Sequence, residues 1–174
     1  SQVCTLPFAF KDYSEVVNFY MKLGFEKMLV DEFAKHDVMY WTDHAIPVEL
    51  VTKTPIRTFA DFKGKKIRSS GTFAKFFNEL GANAMYVAGT EIYTGLATGI
   101  FEGAHWGGVT GANSLGLYEV CKYHMKPSLA HGSEEGFFIN KKAFEKLPLD
   151  IQQTVKKILD KLFYIRTDEY ANRE

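Results

Sequence analysis

The sequence predicts a mixed α/β fold in which short strands alternate with helices. The stretch 63–106 carries this prediction, because runs of β-branched and apolar residues alternate there with apolar residues at helical spacing, in the order strand, helix, strand, helix, strand. Gly81 and Gly99 each follow a helical pattern, as expected of residues that end helices. An amphipathic pattern after Pro148 adds a long final helix.

Two helices and two strands are predicted before Pro55. Asp12 with Glu15 three residues later is typical of a capping box at a helix start, and Gly24 is placed to end that helix. Two later runs are rich in β-branched or aromatic residues and indicate strands. The predicted elements are helices over 12–24 and 25–34 and strands over 38–41 and 48–51.

The stretch 63–106 brings two unusual side chains to one edge of the predicted sheet. Arg68 stands at the end of its first strand and Trp106 at the end of its third strand. Ligands of open α/β sheets bind at the carboxyl ends of the strands. An Arg offers a planar fork for a carboxylate, and a Trp offers a flat apolar wall. We therefore expect a site for a carboxylate attached to a small organic body.

The elements around this site follow from turn and cap residues. Thr58 and Asp61 are spaced as a cap on a single helical turn, and Thr72 and Thr90 are predicted to cap the two helices of the stretch. The remaining predicted elements are strands over 65–69, 85–87, 100–106, 124–131 and 137–140, helices over 115–123, 141–146 and 148–170, and a loop containing Gly107, Gly108 and Gly111. The apolar stripe of the last helix consists of Ile151, Val155, Ile158, Leu159 and Leu162.

Composition narrows the class of protein. The 174 residues carry 21 Lys and Arg and 21 Asp and Glu, so the net charge is zero and nothing favours a nucleic acid or an anionic membrane as a partner. The sequence has no apolar run long enough to cross a bilayer. Cys4 and Cys121 fit no metal-binding or CxxC spacing, and a disulfide between them stays an open alternative.

The sequence contains no familiar catalytic motif. It lacks a G-x-S-x-G elbow, a P-loop lysine, an H-E-x-x-H pair and a G-x-G-x-x-G turn after a strand. His36, His44 and His124 show no partner spacing, and Cys121 lies within a helical pattern. From these residues we expect no catalytic residues and no cofactor.

Several short motifs occur in one order along most of the chain. They are Ile56-Arg57-Thr58, the run from Asp61 to Arg68, Glu91-Ile92-Tyr93, Gly99 with Glu102-Gly103, Tyr118-Glu119-Val120, and Asn140 with Leu147-Pro148 and Gln152. As an ordered set they resemble the solute-binding proteins of tripartite ATP-independent periplasmic (TRAP) transporters, the DctP type. The pattern at 88–93 and Trp106 resemble the branch of that family that binds 2-oxo and 2-hydroxy acids.

The resemblance implies a two-lobe architecture like that of type II periplasmic binding proteins. Residues 5–10 resemble the segment after the family's first βαβ units, so the N-terminal part of the first lobe is expected to precede Ser1. The expected domains are 1–54 as a remnant of lobe 1, 55–126 as lobe 2, and 127–174 as return strands and a C-terminal helix bridging the lobes. Such a fragment exposes a sheet edge and apolar surface, so a homodimer or swapped assembly is expected.

The resemblance also implies a function. The chain would be the periplasmic receptor subunit that captures a small organic acid for uptake, either a 2-oxo or 2-hydroxy monocarboxylate or a C4-dicarboxylate. Its partners would be the small and large membrane permease subunits of a TRAP transporter. The carboxylate-binding Arg of the family corresponds to Arg68 and its Trp to Trp106, with His105 and Phe73 as further ligand-binding candidates.

His105 departs from the pattern of that branch. A Glu stands there in the branch and holds a metal ion together with a second Glu, where this chain offers His131. Imidazoles suit zinc, nickel or copper rather than sodium or calcium, so we expect no hard-cation site and expect His105 to hydrogen-bond the ligand. Two alternatives stay open: a small metal-dependent α/β enzyme using His105 and His131, and a ligand-sensing module of the same fold.

Overall fold

The computed structural model describes residues 6–132 and 135–173, which form eight α-helices and seven β-strands. The helices are α1 (Tyr13–Val17), α2 (Phe25–Ala34), α3 (Gly71–Glu79), α4 (Ile92–Ala97), α5 (Val109–Ser114), α6 (Leu117–Val120), α7 (Lys141–Phe144) and α8 (Leu149–Arg173). The strands are β1 (Val38–Thr42), β2 (Ile46–Thr52), β3 (Lys66–Arg68), β4 (Asn83–Met85), β5 (Gly103–His105), β6 (Tyr123–Gly132) and β7 (Gly136–Asn140). A π-helical turn, Asn18–Lys22, follows α1, and 3₁₀ turns cover Phe59–Phe62 and Gly89–Glu91.

The described residues divide into two compact units. Unit 1 contains residues 6–9, 47–131 and 173, and unit 2 contains residues 10–46, 132 and 135–172. Most of β2 and most of β6 group with unit 1, and the expected lobes 1–54, 55–126 and 127–174 stay a prediction. The long helix α8 groups with unit 2 apart from its last residue.

Unit 1 is built on a five-stranded sheet in the order β4-β3-β5-β2-β6. The strand β3 lies between β4 and β5 and pairs in parallel with both, so that Arg68 lies opposite Met85 on one side and Ala104 on the other. The strand β5 pairs antiparallel with β2, and Leu50 lies opposite His105. The carboxyl ends of β3, β4 and β5 therefore share one edge of the sheet, as the sequence predicts.

Both faces of this sheet are buried, because successive residues of a strand point to opposite faces. Leu50 on β2 packs in one cluster with Phe73 and Phe77 of α3, and the next residue, Val51, packs in a second cluster with Ile92 of α4. These five side chains are at most 2% exposed. Burying an apolar side chain of this size contributes about 1.5–3 kcal/mol. The two clusters therefore fix the strands whose ends carry the candidate site.

Unit 2 combines a two-stranded sheet with an aromatic core. The strands β1 and β7 pair antiparallel, with Tyr40 opposite Phe138. Tyr20 is fully buried and stacks on Phe163 of α8 with ring centroids 5.9 Å apart, and it meets Phe25 of α2 edge-on at 5.0 Å. A two-stranded sheet is marginal by itself, so these aromatic contacts supply much of the cohesion of the unit.

Two helix starts follow the predicted capping signals. The Asp12 carboxylate accepts hydrogen bonds from the backbone N–H groups of Ser14 and Glu15, which caps α1. Thr58 and Asp61 form a reciprocal capping box around the 3₁₀ turn that follows Thr58. In both places a short polar side chain satisfies backbone donors that have no partner within the helix.

Three expectations around the site are wrong in detail. The strand β4 ends at Met85 and does not reach Val87, because the Val87 carbonyl accepts hydrogen bonds from the Arg68 side chain instead of continuing the ladder. Thr72 lies inside α3, and Thr90 lies inside a 3₁₀ turn, so neither residue caps a helix.

The segment around Trp106 is also more interrupted than the sequence predicts. The strand expected over 100–106 is limited to β5. The expected glycine loop contributes Gly111 to α5. The single helix expected over 115–123 is limited to the short helix α6, and α5 ends just before this range. Gly116 separates these two helices with φ of 66°, a left-handed conformation that glycine adopts without strain.

The buried face of α8 differs from the predicted apolar stripe. Leu159, Phe163 and Thr167 are buried, whereas Ile151 and Ile158 of the predicted stripe are 44% and 56% exposed. Residues four apart lie on one face of a helix, so the buried row is 159, 163 and 167. Leu159 belongs to both the predicted stripe and the buried row, whereas Phe163 and Thr167 lie outside the predicted stripe.

Two further sequence features concern membranes and cysteines. Within the described parts of the chain, no helix combines the length and the apolar character needed to cross a membrane. Cys121 is buried in unit 1. Cys4 lies outside the described residues, so the disulfide alternative is not tested.

Candidate functional site

Arg68 forms the centre of the candidate site in unit 1. It is the last residue of β3 and is only 4% exposed. Its Nε and Nη2 atoms donate to the Val87 carbonyl over 3.1 and 3.0 Å, and its Nη1 atom donates to the His105 carbonyl over 2.8 Å. Backbone groups that follow β4 and end β5 therefore hold the guanidinium at the shared strand edge.

Trp106 lies against this guanidinium. The central carbon of the Arg68 guanidinium is 5.1 Å from the Trp106 ring centroid and 5.5 Å from that of Tyr86. Both distances lie within the range of cation–π attraction. Trp106 is partly buried, and Tyr86 is 70% exposed, so one side of the arrangement meets solvent. The structure thus brings together the two residues that the sequence singles out for the site.

Within the described residues, no carboxylate forms an ion pair with Arg68. A guanidinium has five N–H groups, and three of them donate to backbone carbonyls. Burial lowers the pKa of Arg68 from its usual value, yet an arginine stays protonated in proteins. A buried cation without an anionic partner is costly, so the site favours an anion.

His105 and Phe73 lie beside Arg68. The His105 Nδ1 atom is 3.1 Å from the Ser69 hydroxyl oxygen, and its ring is 4.8 Å from the Phe73 ring. Burial, and then the nearby charge of Arg68, lower the pKa of His105 to about 3. His105 is therefore a neutral imidazole at neutral pH. Phe73 is only 1% exposed, so its ring supports the imidazole from within the core.

A buried polar network in unit 1 was missed by the sequence analysis. The Glu49 carboxylate is 2% exposed and accepts hydrogen bonds from His124, Lys126 and the Ser128 hydroxyl, the last over 2.6 Å. The Tyr118 hydroxyl lies 2.7 Å from the other nitrogen of His124. Burial alone raises the pKa of Glu49, but the hydrogen bonds from His124, Lys126 and Ser128 outweigh it and lower the pKa to about 2.

The sequence does hold a signal for this network. Glu49 interrupts an apolar run on β2, and residues 124, 126 and 128 alternate along β6, so their side chains share one face. The Glu49 backbone N–H also donates to the Gly107 carbonyl over 2.8 Å, next to Trp106. The network therefore anchors the strand that pairs with β5.

A second polar cluster lies in unit 2. His44 Nδ1 is 2.8 Å from the Asp43 carboxylate, and Arg166 contacts the two oxygens of that carboxylate over 2.9 and 2.8 Å. In the part of the chain that the structure describes, Asp43, His44 and Glu135 are the one group of three side chains spaced to hold a metal ion. Arg166 already neutralises Asp43, which disfavours a second cation there.

The two histidines of the enzyme alternative belong to different strands. His105 lies on β5 and His131 on β6, and β2 lies between these strands in the sheet. Neither histidine belongs to a group of three potential metal ligands among the described residues. The structure therefore gives no support to a shared metal site.

The whole chain, residues 1–174, matches the protein family described as bacterial extracellular solute-binding protein, family 7, or DctP. The chain belongs to this family, which confirms the resemblance drawn from the ordered motifs. Members of the family are solute-binding proteins of TRAP transporters, which are receptors and not enzymes.

Individual relatives agree with this assignment. A monocarboxylate 2-oxoacid-binding periplasmic protein of Nostoc sp. is 30% identical over 105 residues, which make up 60% of this chain and 29% of that protein. The C4-dicarboxylate-binding periplasmic protein DctP of Rhodobacter capsulatus is 26% identical over 178 aligned residues, covering 98% of this chain and 50% of that protein.

A solved structure shows the same fold. The crystal structure of a TRAP periplasmic solute-binding protein from Chromohalobacter salexigens, with bound (S)-(+)-2-amino-1-propanol, is 25% identical and superposes with a TM-score of 0.82. The superposition covers 97% of this chain and 54% of that one, and it confirms the predicted fold class. The chain spans at most half the length of the two curated relatives described above.

Proposed function

We propose that this chain is part of the solute-binding receptor of a TRAP transporter and that it captures a small organic acid through Arg68. The ligand class is a 2-oxo or 2-hydroxy monocarboxylate or a C4-dicarboxylate. Arg68 would pair with the carboxylate, Trp106 would form the apolar wall, and His105 would hydrogen-bond the substituent next to the carboxylate. A direct contact by Phe73 stays a prediction.

The observation that carries this proposal is the buried, unpaired charge of Arg68. Three of its N–H groups are held by the Val87 and His105 carbonyls, which fixes the plane of the guanidinium. The two remaining N–H groups have no acceptor among the described residues. One of these N–H groups lies on Nη1 and the other on Nη2, and charged N–H groups of a guanidinium form strong hydrogen bonds to carboxylate oxygens.

The neutral state of His105 restricts the ligand further. The Ser69 hydroxyl already engages Nδ1 of His105, so the neutral imidazole offers Nε2 to the ligand, as a donor or an acceptor according to its tautomer, and adds no second charge. It suits an uncharged oxygen substituent, such as a hydroxyl or a carbonyl oxygen, next to the carboxylate. The names of the Nostoc and Rhodobacter relatives, which refer to 2-oxoacids and C4-dicarboxylates, support the same class.

The proposed site of action is the periplasm, and the proposed partners are the small and large membrane permease subunits. Family membership and the names of the relatives support both proposals. Loaded receptor would dock on the permease and release the acid there, as the resemblance implies. The chain itself would carry out no chemistry on the ligand.

A thermal-shift screen of the full-length protein tests the ligand class. Pyruvate, lactate and succinate are compared with lactamide and with 2-amino-1-propanol, which have similar carbon skeletons but no carboxylate. We expect an acid at about a hundred times its dissociation constant to add about 2.7 kcal/mol of stability and to raise the melting temperature.

Neutral and amine ligands provide the contrasting outcomes of the screen. Stabilisation by 2-amino-1-propanol and by none of the acids would show that Arg68 does not define the ligand. Stoichiometric zinc in the purified protein, with no stabilisation by any acid, would instead support the metal-dependent enzyme.

A further inference from the structure

The position of the Trp106 indole depends on a glycine in the segment that follows β4. A Cβ atom added at Gly89 would lie 2.7 Å from Cη2 and 3.2 Å from Cζ3 of Trp106, at the far edge of the ring. Gly89 does not have a positive φ, so its backbone conformation is open to any residue. The reason for a glycine at this position is therefore the indole and not the turn.

The opposite end of the indole also rests on a glycine. A Cβ atom at Gly111 in α5 would lie 3.4 Å from Cδ1 of Trp106 and 3.1 Å from its carbonyl oxygen. The ring is thus held between two backbone segments that carry no side chain at the point of contact. A rigid, planar side chain held at both ends can shift only if one of these segments moves.

The segment that contacts the indole also holds its partner in the site. The Val87 carbonyl accepts two hydrogen bonds from Arg68, and Gly89 lies two residues further along the chain. One short stretch therefore fixes both the guanidinium and the indole that lies 5.1 Å from it. Any displacement of the ring at Gly89 changes its position relative to Arg68.

We infer that Gly89 is a specificity-determining position of the acid site. By leaving room for the Trp106 indole, Gly89 sets the distance between this apolar wall and the Arg68 guanidinium. That distance determines how bulky an acid the site accepts. This inference rests on the proposed function. A methyl group at Gly89 forces the indole to withdraw from 2.7 Å to at least the 3.4 Å of ordinary contact. Arg68 itself is not substituted, so the main effect is expected on the organic body of the ligand, which the indole contacts.

The test compares Gly89→Ala with wild type in the full-length protein by titration calorimetry with pyruvate and with a longer 2-oxo acid, 2-oxopentanoate. We expect the ratio of the two dissociation constants to change by about tenfold, the effect of roughly one methylene in an apolar pocket. Gly95→Ala is the matched control, because its added Cβ would lie 2.4 Å from Phe101 in the core and not against the indole. It should lower stability and leave the ratio unchanged.

Two further measurements separate a shifted indole from general destabilisation. Trp41 and Trp106 are the two tryptophans of the chain, so in a Trp41→Phe background the fluorescence reports Trp106 alone. Gly89→Ala should change that emission and Gly95→Ala should not. In a Trp106→Phe background, which removes the far edge of the ring, Gly89→Ala should no longer change the ratio, and it should fold even if the single variant does not.

The outcomes distinguish this inference from the proposed function. If wild type binds no organic acid, the proposed function fails and the inference with it. If wild type binds an acid but Gly89→Ala leaves both the ratio and the Trp106 emission unchanged, only the inference is overturned. A change in the ratio that persists unchanged in the Trp106→Phe background also overturns it.

Discussion

Replacing Glu49 by Gln tests whether the buried network in unit 1 stabilises the fold that carries the site. The ionised carboxylate accepts hydrogen bonds from His124, Lys126 and Ser128, and these lower its pKa from 4.5 to about 2. One pKa unit corresponds to about 1.4 kcal/mol, so the ionised form contributes about 3 kcal/mol at neutral pH. Gln carries no charge, and its N–H₂ group replaces one of the two acceptor oxygens, so it faces groups that themselves donate hydrogen bonds. We therefore expect Glu49→Gln to lose about 3 kcal/mol of unfolding free energy at pH 7.

The pH dependence of this loss follows from the direction of the pKa shift. The pKa of Glu49 is lower in the folded state than in the unfolded state, so its contribution is complete above pH 4.5 and declines as pH falls towards 2. The difference between wild type and Glu49→Gln should shrink from about 3 kcal/mol at pH 7 to about 1 kcal/mol near pH 3.

Urea denaturation followed by circular dichroism at the two pH values measures both quantities. Glu79→Gln is the control, because Glu79 is exposed at the end of α3 and its carboxylate makes no hydrogen bond or ion pair with any other described residue. Its effect should stay within about 0.5 kcal/mol at either pH. A Glu49→Gln variant as stable as wild type at pH 7, or a loss that does not decline on acidification, would refute the reasoning.

Two other predictions concern the core of unit 2 and the charge of the site. Phe163→Ala should cost about 3–5 kcal/mol of stability, because the ring is 1% exposed and stacks on Tyr20. Tyr164→Ala, at a position that is 50% exposed, should cost much less. Equal losses in chemical denaturation would contradict the assigned buried face of α8. Affinity for an organic acid should stay constant between about pH 5 and about pH 8, because the pKa of His105 is about 3 and its charge does not change in that range. A calorimetric titration with a break near pH 6.5, the ordinary value for histidine, would show that His105 is not held neutral.

The elements that position the site were accessible from the sequence because their signals are local. Between residues 63 and 106, strand-like apolar runs and the glycines that end the helices placed Arg68 and Trp106 at strand ends. The carboxyl ends of neighbouring parallel strands meet at one edge of the sheet. The capping residues Asp12 and Thr58 fixed two helix starts for the same reason. Such patterns need only a few neighbouring residues to be recognised.

Features that depend on distant residues were not accessible. The Val87 carbonyl accepts hydrogen bonds from the side chain of Arg68, nineteen residues earlier in the chain, and does not continue the strand ladder. The predicted end of β4 was therefore two residues too late. The partners of Glu49 come from β6, more than seventy residues further along the chain. The buried face of α8 depends on which side of the helix meets the aromatic core of unit 2. That side carries Phe163, whose ring stacks on Tyr20.

The central claim is that Arg68 binds the carboxylate of an organic acid. Isothermal titration calorimetry of the full-length protein with the acid found in the screen, comparing wild type with Arg68→Ala, tests it most directly, with the exposed Arg57→Ala as control. Loss of a charged hydrogen-bonding contact should cost about 1.5–3 kcal/mol, which raises the dissociation constant about ten- to a hundredfold. Arg57→Ala should bind like wild type. An Arg68→Ala variant that is folded and keeps the wild-type affinity would contradict the account.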